Sequence, residues 1–326
     1  MRIVFCGTPE YAVPSLERLA GLCPRHEIVA VVSQPDKPKG RSGTPAPPPV
    51  VEAARKLGLA PACILQPQSI NEPEVLARLK TLAPDLLCVV AYGGFLKARA
   101  LALPRLCAIN AHGSLLPRYR GAAPIQAALL AGDTETGVTI MKMVPGLDKG
   151  PLLFQRAIPI QPDDDAATLH DKLAALSADC FAEALSLLES GAAVFAPQHE
   201  ALASYAAKLE KDSGRIDWGK DAAFLERFVR AMNPWPGAWT TVSLPDGSSK
   251  LRVRVARAGL SGCCQLAGKG VGLASGSGND VVISVGCGDG GMLSVRAVQP
   301  EGKRLMGTAE FLRGAGQKLA AASRWE

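Results

Sequence analysis

Aromatic side chains and long apolar runs are scarce in this chain of 326 residues. Phe, Trp and Tyr together make up 5% of the sequence, and only four histidines occur. No uninterrupted apolar run reaches the roughly 18 residues that span a bilayer, and the N-terminus lacks the basic, apolar and small-residue succession of a secretory signal. We therefore expect a cytoplasmic protein with no membrane segment.

CxxC pairs and glycine fingerprints are missing as well. The nine cysteines are scattered, and none forms the CxxC pair typical of zinc or redox sites. Buried thiols in a reducing compartment explain this pattern better than disulfides or a metal site do. The turn after the first strand reads GTPEYA rather than GxGxxG, so we expect no dinucleotide site.

Charge is distributed unevenly along the chain. Residues 1–207 carry 19 Lys and Arg against 19 Asp and Glu, whereas residues 208–326 carry 17 against 11. The net charge of +6 therefore lies in the last third, which a polyanion would meet first, although a basic surface also aids solubility. Together with the length, this predicts a first domain over 1–190, a connection over 191–207 and a second domain over 208–326.

The first domain has the pattern of an α/β protein. Strand-like runs at residues 2–6, 27–33 and 85–91 each begin with a charged residue and are then apolar on both faces, as strands inside a parallel sheet are. Asp163, Asp164, Asp165 and Thr168 offer N-cap oxygens for a long helix that ends near Glu189, which explains these acids better than a metal pair does.

The second domain has the pattern of a small barrel. One helix is predicted over 222–232, and short strand-like runs follow at 250–256, 270–273, 281–285 and 293–298, separated by Gly, Ser and Asp clusters. Between the helix and these strands, NPWPGAW (residues 233–239) predicts a rigid turn whose two tryptophans anchor the packing of the domain.

The chemically richest stretch is AINAHGSLLPRYRG, residues 108–121. Alternate side chains of a strand share a face, so Asn110 and His112 should project together. Asp148 follows in PGLDKG, a loop able to fold over the same place. Attack of an amine on an acyl carbon needs donors for the developing oxyanion and a group that manages the proton, and these three side chains supply both. Without further knowledge, a hydrogen-bonded strand end for Asn110 and His112 and an ordinary turn around Asp148 are the more common explanations of these motifs.

Two further segments have binding potential. Tyr92, Gly93 and Gly94 end a buried strand, where glycines let a ligand approach the backbone; a simple turn is the alternative. Residues 34–50 contain six prolines and two glycines, which exclude a helix or central strand and predict a surface loop. The first half of that loop is basic, with Lys37, Lys39 and Arg41.

Two stretches resemble the signature region of the folate-dependent formyltransferases: NAHGSLLPRYRGAAPIQ and GVTIMKMVPGLDKG. The similarity extends along nearly the whole chain, through RIVFCGTPEYAVPSLERL, SQPDKPKGR, VVAYGGFL, RIDW and VRAMNPWPGAWT, and is strongest to the members that act on tRNA. It implies a Rossmann-like catalytic domain with a mostly parallel sheet, followed by a smaller OB-like β-barrel that contacts tRNA phosphates.

The resemblance also implies roles for individual residues. Asn110 and His112 stabilise the oxyanion, while Asp148 receives the amine proton, directly or through water, and tunes His112. The pterin ring of the folate is expected to lie near Tyr92, Gly93 and Gly94. The loop formed by Ser114, Leu115, Leu116 and Pro117 is expected to contact the folate as well. The acceptor-arm contacts are expected from Lys37, Lys39 and Arg41. Ser42-Gly43-Thr44 stand where the family often has further basic residues, which predicts fewer phosphate contacts from this loop.

The implied reaction is formyl transfer from 10-formyltetrahydrofolate to the α-amine of methionine on initiator tRNA, by a monomer without a metal. Three alternatives remain: a formyltransferase for a nucleotide sugar or a glycinamide ribonucleotide, a hydrolase of formylfolate, and an RNA-binding module with a decayed folate site. The basic second domain favours a macromolecular substrate, and the intact Asn110, His112 and Asp148 argue against decay.

Overall fold

The computed structural model of the chain describes residues 1–38, 43–243, 250–261, 268–276, 281–314 and 323–326. It divides into two units. The first consists of Met1–Pro124, Glu135–Ile160 and Leu169–Ala206, and the second of Ile125–Thr134, Gln161–Thr168 and Ala207–Glu326. Among the described residues, no helix combines the length and apolarity that crossing a membrane requires.

A sheet of seven strands forms the centre of the first unit. The strands before residue 207 are β1 (Arg2–Gly7), β2 (Glu27–Val32), β3 (Lys37–Pro38), β4 (Pro45–Ala46), β5 (Ile64–Leu65), β6 (Leu86–Val90), β7 (Cys107–His112), β8 (Arg120–Gly121), β9 (Glu135–Lys142), β10 (Leu152–Pro159) and β11 (Tyr205–Ala206). The sheet order is β10-β9-β7-β6-β1-β2-β5; β9 runs antiparallel to both of its neighbours, β10 and β7, and the remaining pairings are parallel. The prediction of a Rossmann-like, mostly parallel sheet is confirmed.

The helices before residue 190 are α1 (Val13–Ala20), α2 (Pro49–Lys56), α3 (Pro73–Thr81), α4 (Ala98–Leu101), α5 (Pro124–Ala131) and α6 (Ala166–Glu189). The predicted capped start of α6 is confirmed, because Asp165 Oδ1 accepts hydrogen bonds from the amides of Ala167 and Thr168 at 3.0 and 2.9 Å. Within the described residues, no group of three or more His, Cys, Asp or Glu side chains is placed to hold a metal ion.

Parallel pairing determines where the sheet presents its loops. Strand β6 is apolar and buried at all five positions, as a strand covered on both faces should be. Its neighbours β1 and β7 run in the same direction, with Gly7 beside Val90 and Asn110 beside Val89. The loops that follow these three strands therefore leave from one edge of the sheet, where open α/β sheets place their ligands.

The second unit is built on a barrel. After α7 (Ala222–Met232), its described elements are β12 (Ala238–Ser243), β13 (Lys250–Leu260), β14 (Val271–Ser275), β15 (Val282–Gly286), β16 (Met292–Pro300), β17 (Met306–Gly307), α8 (Thr308–Arg313) and β18 (Ser323–Trp325). The strand order is β13-β12-β18-β14-β15-β16-β17, and pairing of β13 with β16 closes six antiparallel strands into a barrel. The predicted small barrel is confirmed.

The tryptophans of the second unit differ from the prediction. Trp235 is 51% exposed, because it lies in the turn outside the barrel, and the expectation that it anchors the packing is wrong. Trp239 belongs to β12 rather than to the turn. The buried pair is instead Trp218 and Trp325, whose rings meet edge to face with centroids 5.9 Å apart.

Candidate active site

His112 is the last residue of β7 and is buried. Its Nε2 lies 2.9 Å from the carbonyl oxygen of Tyr119. A carbonyl oxygen only accepts, so Nε2 carries the hydrogen and the neutral ring keeps its lone pair on Nδ1. This tautomer turns the basic nitrogen of His112 towards Asp148.

Asp148 lies in the Asp148 loop, residues 145–150, between β9 and β10. Its Oδ2 accepts a hydrogen bond from the Gly121 amide at 2.8 Å and lies 3.7 Å from Nδ1 of His112. That second distance is too long for a hydrogen bond but short enough for a strong interaction between a carboxylate and an imidazolium. The structure therefore brings two of the three predicted catalytic residues together, with the Asp148 carboxylate facing the ring nitrogen of His112 that Tyr119 leaves free.

Asn110 is the third predicted catalytic residue. It is buried two positions before His112 on β7, so the two side chains project from the same face of the strand. In the part of the chain that the structure describes, no side-chain hydrogen bond joins Asn110 to another residue. Its carboxamide can therefore donate to a ligand oxygen without breaking a bond within the protein.

The Ser114 loop, residues 114–117, follows His112 and is held by two strand residues. Thr139 Oγ1 donates to the Ser114 carbonyl at 2.6 Å and accepts from the Leu116 amide at 3.0 Å. Gln155 Nε2 donates to the Leu116 carbonyl at 2.8 Å and to Thr139 Oγ1 at 2.9 Å. Thr139 and Gln155 face each other across β9 and β10. The sequence signal for Thr139 is a polar residue within the apolar run from Val138 to Met141.

The Tyr92-Gly93-Gly94 segment leaves the sheet one strand away from the Ser114 loop. The Tyr92 carbonyl accepts a hydrogen bond from Thr8 Oγ1 at 2.7 Å. Burial raises the pKa of the Tyr92 hydroxyl to about 12, so it stays protonated at neutral pH. A Cβ on Gly94 would lie 2.9 Å from the Tyr92 ring, which explains the glycine at that position.

The predicted acceptor-arm residues are described only in part. Lys37 is exposed in β3, which pairs with β4 as a short antiparallel ribbon inside the proline-rich loop. Lys39 and Arg41 lie outside the described residues.

Sequence reasoning missed Arg120. Its side chain is fully buried and makes two parallel hydrogen bonds with Glu200, Nη1 to Oε1 at 2.8 Å and Nη2 to Oε2 at 2.9 Å. Hydrogen bonds from Arg120 hold the pKa of the Glu200 carboxyl below its usual range. An arginine in a polar run such as RYRG gives no local sign that it is buried, because its partner comes about 80 residues later.

Comparison with known proteins gives the family of this chain. A family model described as Formyl transferase matches residues 1–185, and one described as Formyl transferase, C-terminal domain, matches residues 208–316. The methionyl-tRNA formyltransferase of Geobacter sulfurreducens is 44% identical over 318 residues, which cover 96% of this chain and 94% of that protein.

Solved structures show the same fold. WlaRD, a sugar 3N-formyl transferase solved in the presence of dTDP and 5-N-formyl-THF, matches with a TM-score of 0.63 at 16% identity, over 93% of this chain and 99% of WlaRD. HypX from Aquifex aeolicus, in complex with tetrahydrofolic acid, matches 98% of this chain with a TM-score of 0.59 at 20% identity, and this chain spans 48% of HypX. The predicted resemblance is confirmed: the chain belongs to the formyltransferase family.

Proposed function

We propose that this protein transfers the formyl group of 10-formyltetrahydrofolate to the free α-amino group of methionyl-initiator tRNA, giving N-formylmethionyl-tRNA. The observation that carries the proposal is the 44% identity to a methionyl-tRNA formyltransferase over nearly the full length of both chains. The arrangement of His112 and Asp148 supports it chemically, because an amine that attacks a formyl carbon must lose a proton.

We assign the amine proton to Nδ1 of His112. Nε2 is occupied by the Tyr119 carbonyl, so Nδ1 is the ring nitrogen left to accept it. The imidazolium then faces the Asp148 carboxylate at 3.7 Å, which stabilises the positive charge. Asp148 is thus proposed as a partner of His112 rather than as the first proton acceptor, and the Gly121 amide holds its Oδ2 in place. From Nδ1 the proton can return to the departing nitrogen.

Asn110 is our proposed donor to the developing oxyanion. Neutral His112 has no N–H to spare for that oxygen, because its one hydrogen is held by Tyr119. The carboxamide of Asn110 is fixed on a strand, and a donor that is oriented in advance stabilises negative charge without reorganising during the reaction.

The formyl donor supplies the electrophilic carbon and the nitrogen that leaves, and we propose that it binds along the carboxyl edge of the first sheet. The pterin ring is placed near Tyr92, Gly93 and Gly94, and the Ser114 loop is placed against the folate. Two observations support this fit. Both segments follow neighbouring parallel strands, and Thr139 and Gln155 hold the Ser114 loop in one conformation.

The tRNA is proposed to contact Lys37, Lys39 and Arg41 and the basic residues of the 208–326 region. The charge excess of residues 208–326 supports phosphate contacts, and Arg252 lies on the barrel, 3.7 Å from the centroid of the Trp239 ring. We also propose that the protein acts in the cytoplasm as a monomer.

The direct test offers the protein 10-formyltetrahydrofolate with one of three acceptors: methionyl-initiator tRNA, free methionine, or a nucleotide-linked amino sugar. We expect formyl transfer to the charged tRNA alone. Transfer to the amino sugar, or formylfolate hydrolysis without transfer, would contradict the proposal. Uncharged initiator tRNA is the matched control, since it has the same phosphates and no reactive amine.

A further inference from the structure

Residues 196–206, here called the 196–206 segment, lie against the Ser114 loop and the Asp148 loop, the two loops that surround His112. Backbone hydrogen bonds join Leu152 and Ala196 at 2.7 and 2.9 Å, and the Arg120 amide donates to the Ser204 carbonyl at 2.8 Å. Ser204 Oγ also accepts from the Tyr119 amide at 2.9 Å. Tyr119 holds His112, and Leu152 follows the Asp148 loop. The 196–206 segment therefore contacts the residues that support His112 and Asp148.

Gln198 is the residue of this segment that reaches the Asp148 loop. Its Nε2 donates to the carbonyls of Asp148 and Gly150 at 2.8 and 2.7 Å. Its Oε1 accepts from Nη2 and Nε of Arg120 at 2.8 and 3.1 Å. A guanidinium only donates and a carbonyl only accepts, so a single orientation of the amide satisfies all four bonds.

The Asp148 loop needs such an external support. Asp148 has φ of +51° and Gly146 has φ of +126°, and the left-handed region is less favourable for any residue with a side chain than for glycine, although Asp tolerates it better than most. Arg120, to which Gln198 is bonded, is itself buried and held by Glu200. Gln198 therefore connects a strained loop to a fixed point of the first unit.

We propose that Gln198 is a positioning residue for formyl transfer: by holding the backbone of the Asp148 loop, it keeps the Asp148 carboxylate beside Nδ1 of His112. The catalytic role assigned to His112 and Asp148 rests on the proposed function, whereas the contacts of Gln198 do not depend on it. No substrate contact is assigned to Gln198, so its loss should slow the reaction without weakening the binding of either substrate.

The test compares Gln198→Met, which keeps the length and removes all four hydrogen bonds, with Gln161→Met, a matched change at an exposed glutamine. We expect Gln198→Met to lower kcat by roughly ten- to a hundredfold, the loss typical of a misplaced catalytic group, with both KM values unchanged. Gln161→Met should behave like the wild type. Unchanged kcat in a folded Gln198→Met protein, or a loss confined to KM, would overturn the proposal.

A double-mutant cycle makes the test specific for Asp148. If Gln198 acts through that carboxylate, Gln198→Met should cost nothing further in an Asp148→Asn background. Full additivity would overturn the proposal. Gln198→Glu, which keeps the acceptor for Arg120 and loses both donors, serves if Gln198→Met fails to fold. Should the wild type formylate another amine, the proposed function fails, and the same cycle run with that amine still decides the role of Gln198.

Discussion

The two loops that surround His112 are held in different ways. The Ser114 loop is tied to Thr139 and Gln155, which lie on strands of the same sheet that carries His112. The Asp148 loop is tied to Gln198, which comes from beyond the sheet and bonds to Arg120. A loop anchored to core strands shares their stability, whereas a loop held mainly by one side chain from outside the sheet can be displaced while the fold persists. Damage to the first support should therefore appear mainly in stability, and damage to the second mainly in the rate.

The largest effect on the rate is expected at His112, which both loops surround. His112→Ala removes the proposed proton acceptor, and we expect kcat to fall about a thousandfold, within the range for loss of general acid–base catalysis. Binding of charged tRNA should stay near normal, because no tRNA contact is assigned to this ring. Single-turnover transfer and a filter-binding assay measure the two quantities. Full activity in a folded variant would remove the central role of His112.

A smaller effect, on stability, is expected from the Ser114 loop. Thr139 is fully buried, and Thr139→Val leaves the Leu116 amide and the Ser114 carbonyl without their partner. Burying unsatisfied polar groups costs about 1–3 kcal/mol, so we expect the free energy of unfolding in urea to fall by that amount. Thr139→Ser retains the hydroxyl and should lose less. Equal stability of the Val variant and the wild type would contradict this account of the loop.

The smallest effect is expected at Glu200, whose pKa lies below 4.5 because Arg120 donates hydrogen bonds to it. A carboxyl whose pKa is lowered by folding stabilises the fold fully when the pH is above its pKa in the unfolded state. This contribution disappears as the pH falls through its pKa in the folded state. Glu200→Gln should therefore lower Tm slightly at pH 7, and the difference from the wild type should shrink once the pH drops below 4.5. Glu17→Gln, at an exposed position, is the control. A Tm difference that does not change with pH would argue against the ion pair.

Local patterns were enough to predict most of the scaffold. Apolar runs predicted the parallel strands, and the period of two predicted that Asn110 and His112 share a face. Regular spacing of short strands predicted the barrel, although it gave no sign of β12 or β18, since Trp239 was taken for part of the turn and β18 has only three residues. Trp235 was misplaced because aromatic character alone does not separate a buried ring from one in an exposed turn.

Polar contacts between distant segments could not be predicted. Gln198 lies 50 residues from Asp148, in a stretch that reads as a connection between domains. Arg120 is the kind of residue that is normally exposed, and only its contact with Glu200 explains its burial. The contacts proposed for Lys39 and Arg41 stay predictions.

The bond between Gln198 and Arg120 sets an order of events during synthesis. When residues 1–190 have left the ribosome, Asn110, His112 and Asp148 are all present. Gln198, which holds the Asp148 loop, has not yet emerged. Until residues 196–206 have emerged, the nascent chain should therefore transfer formyl groups no faster than the Gln198→Met variant.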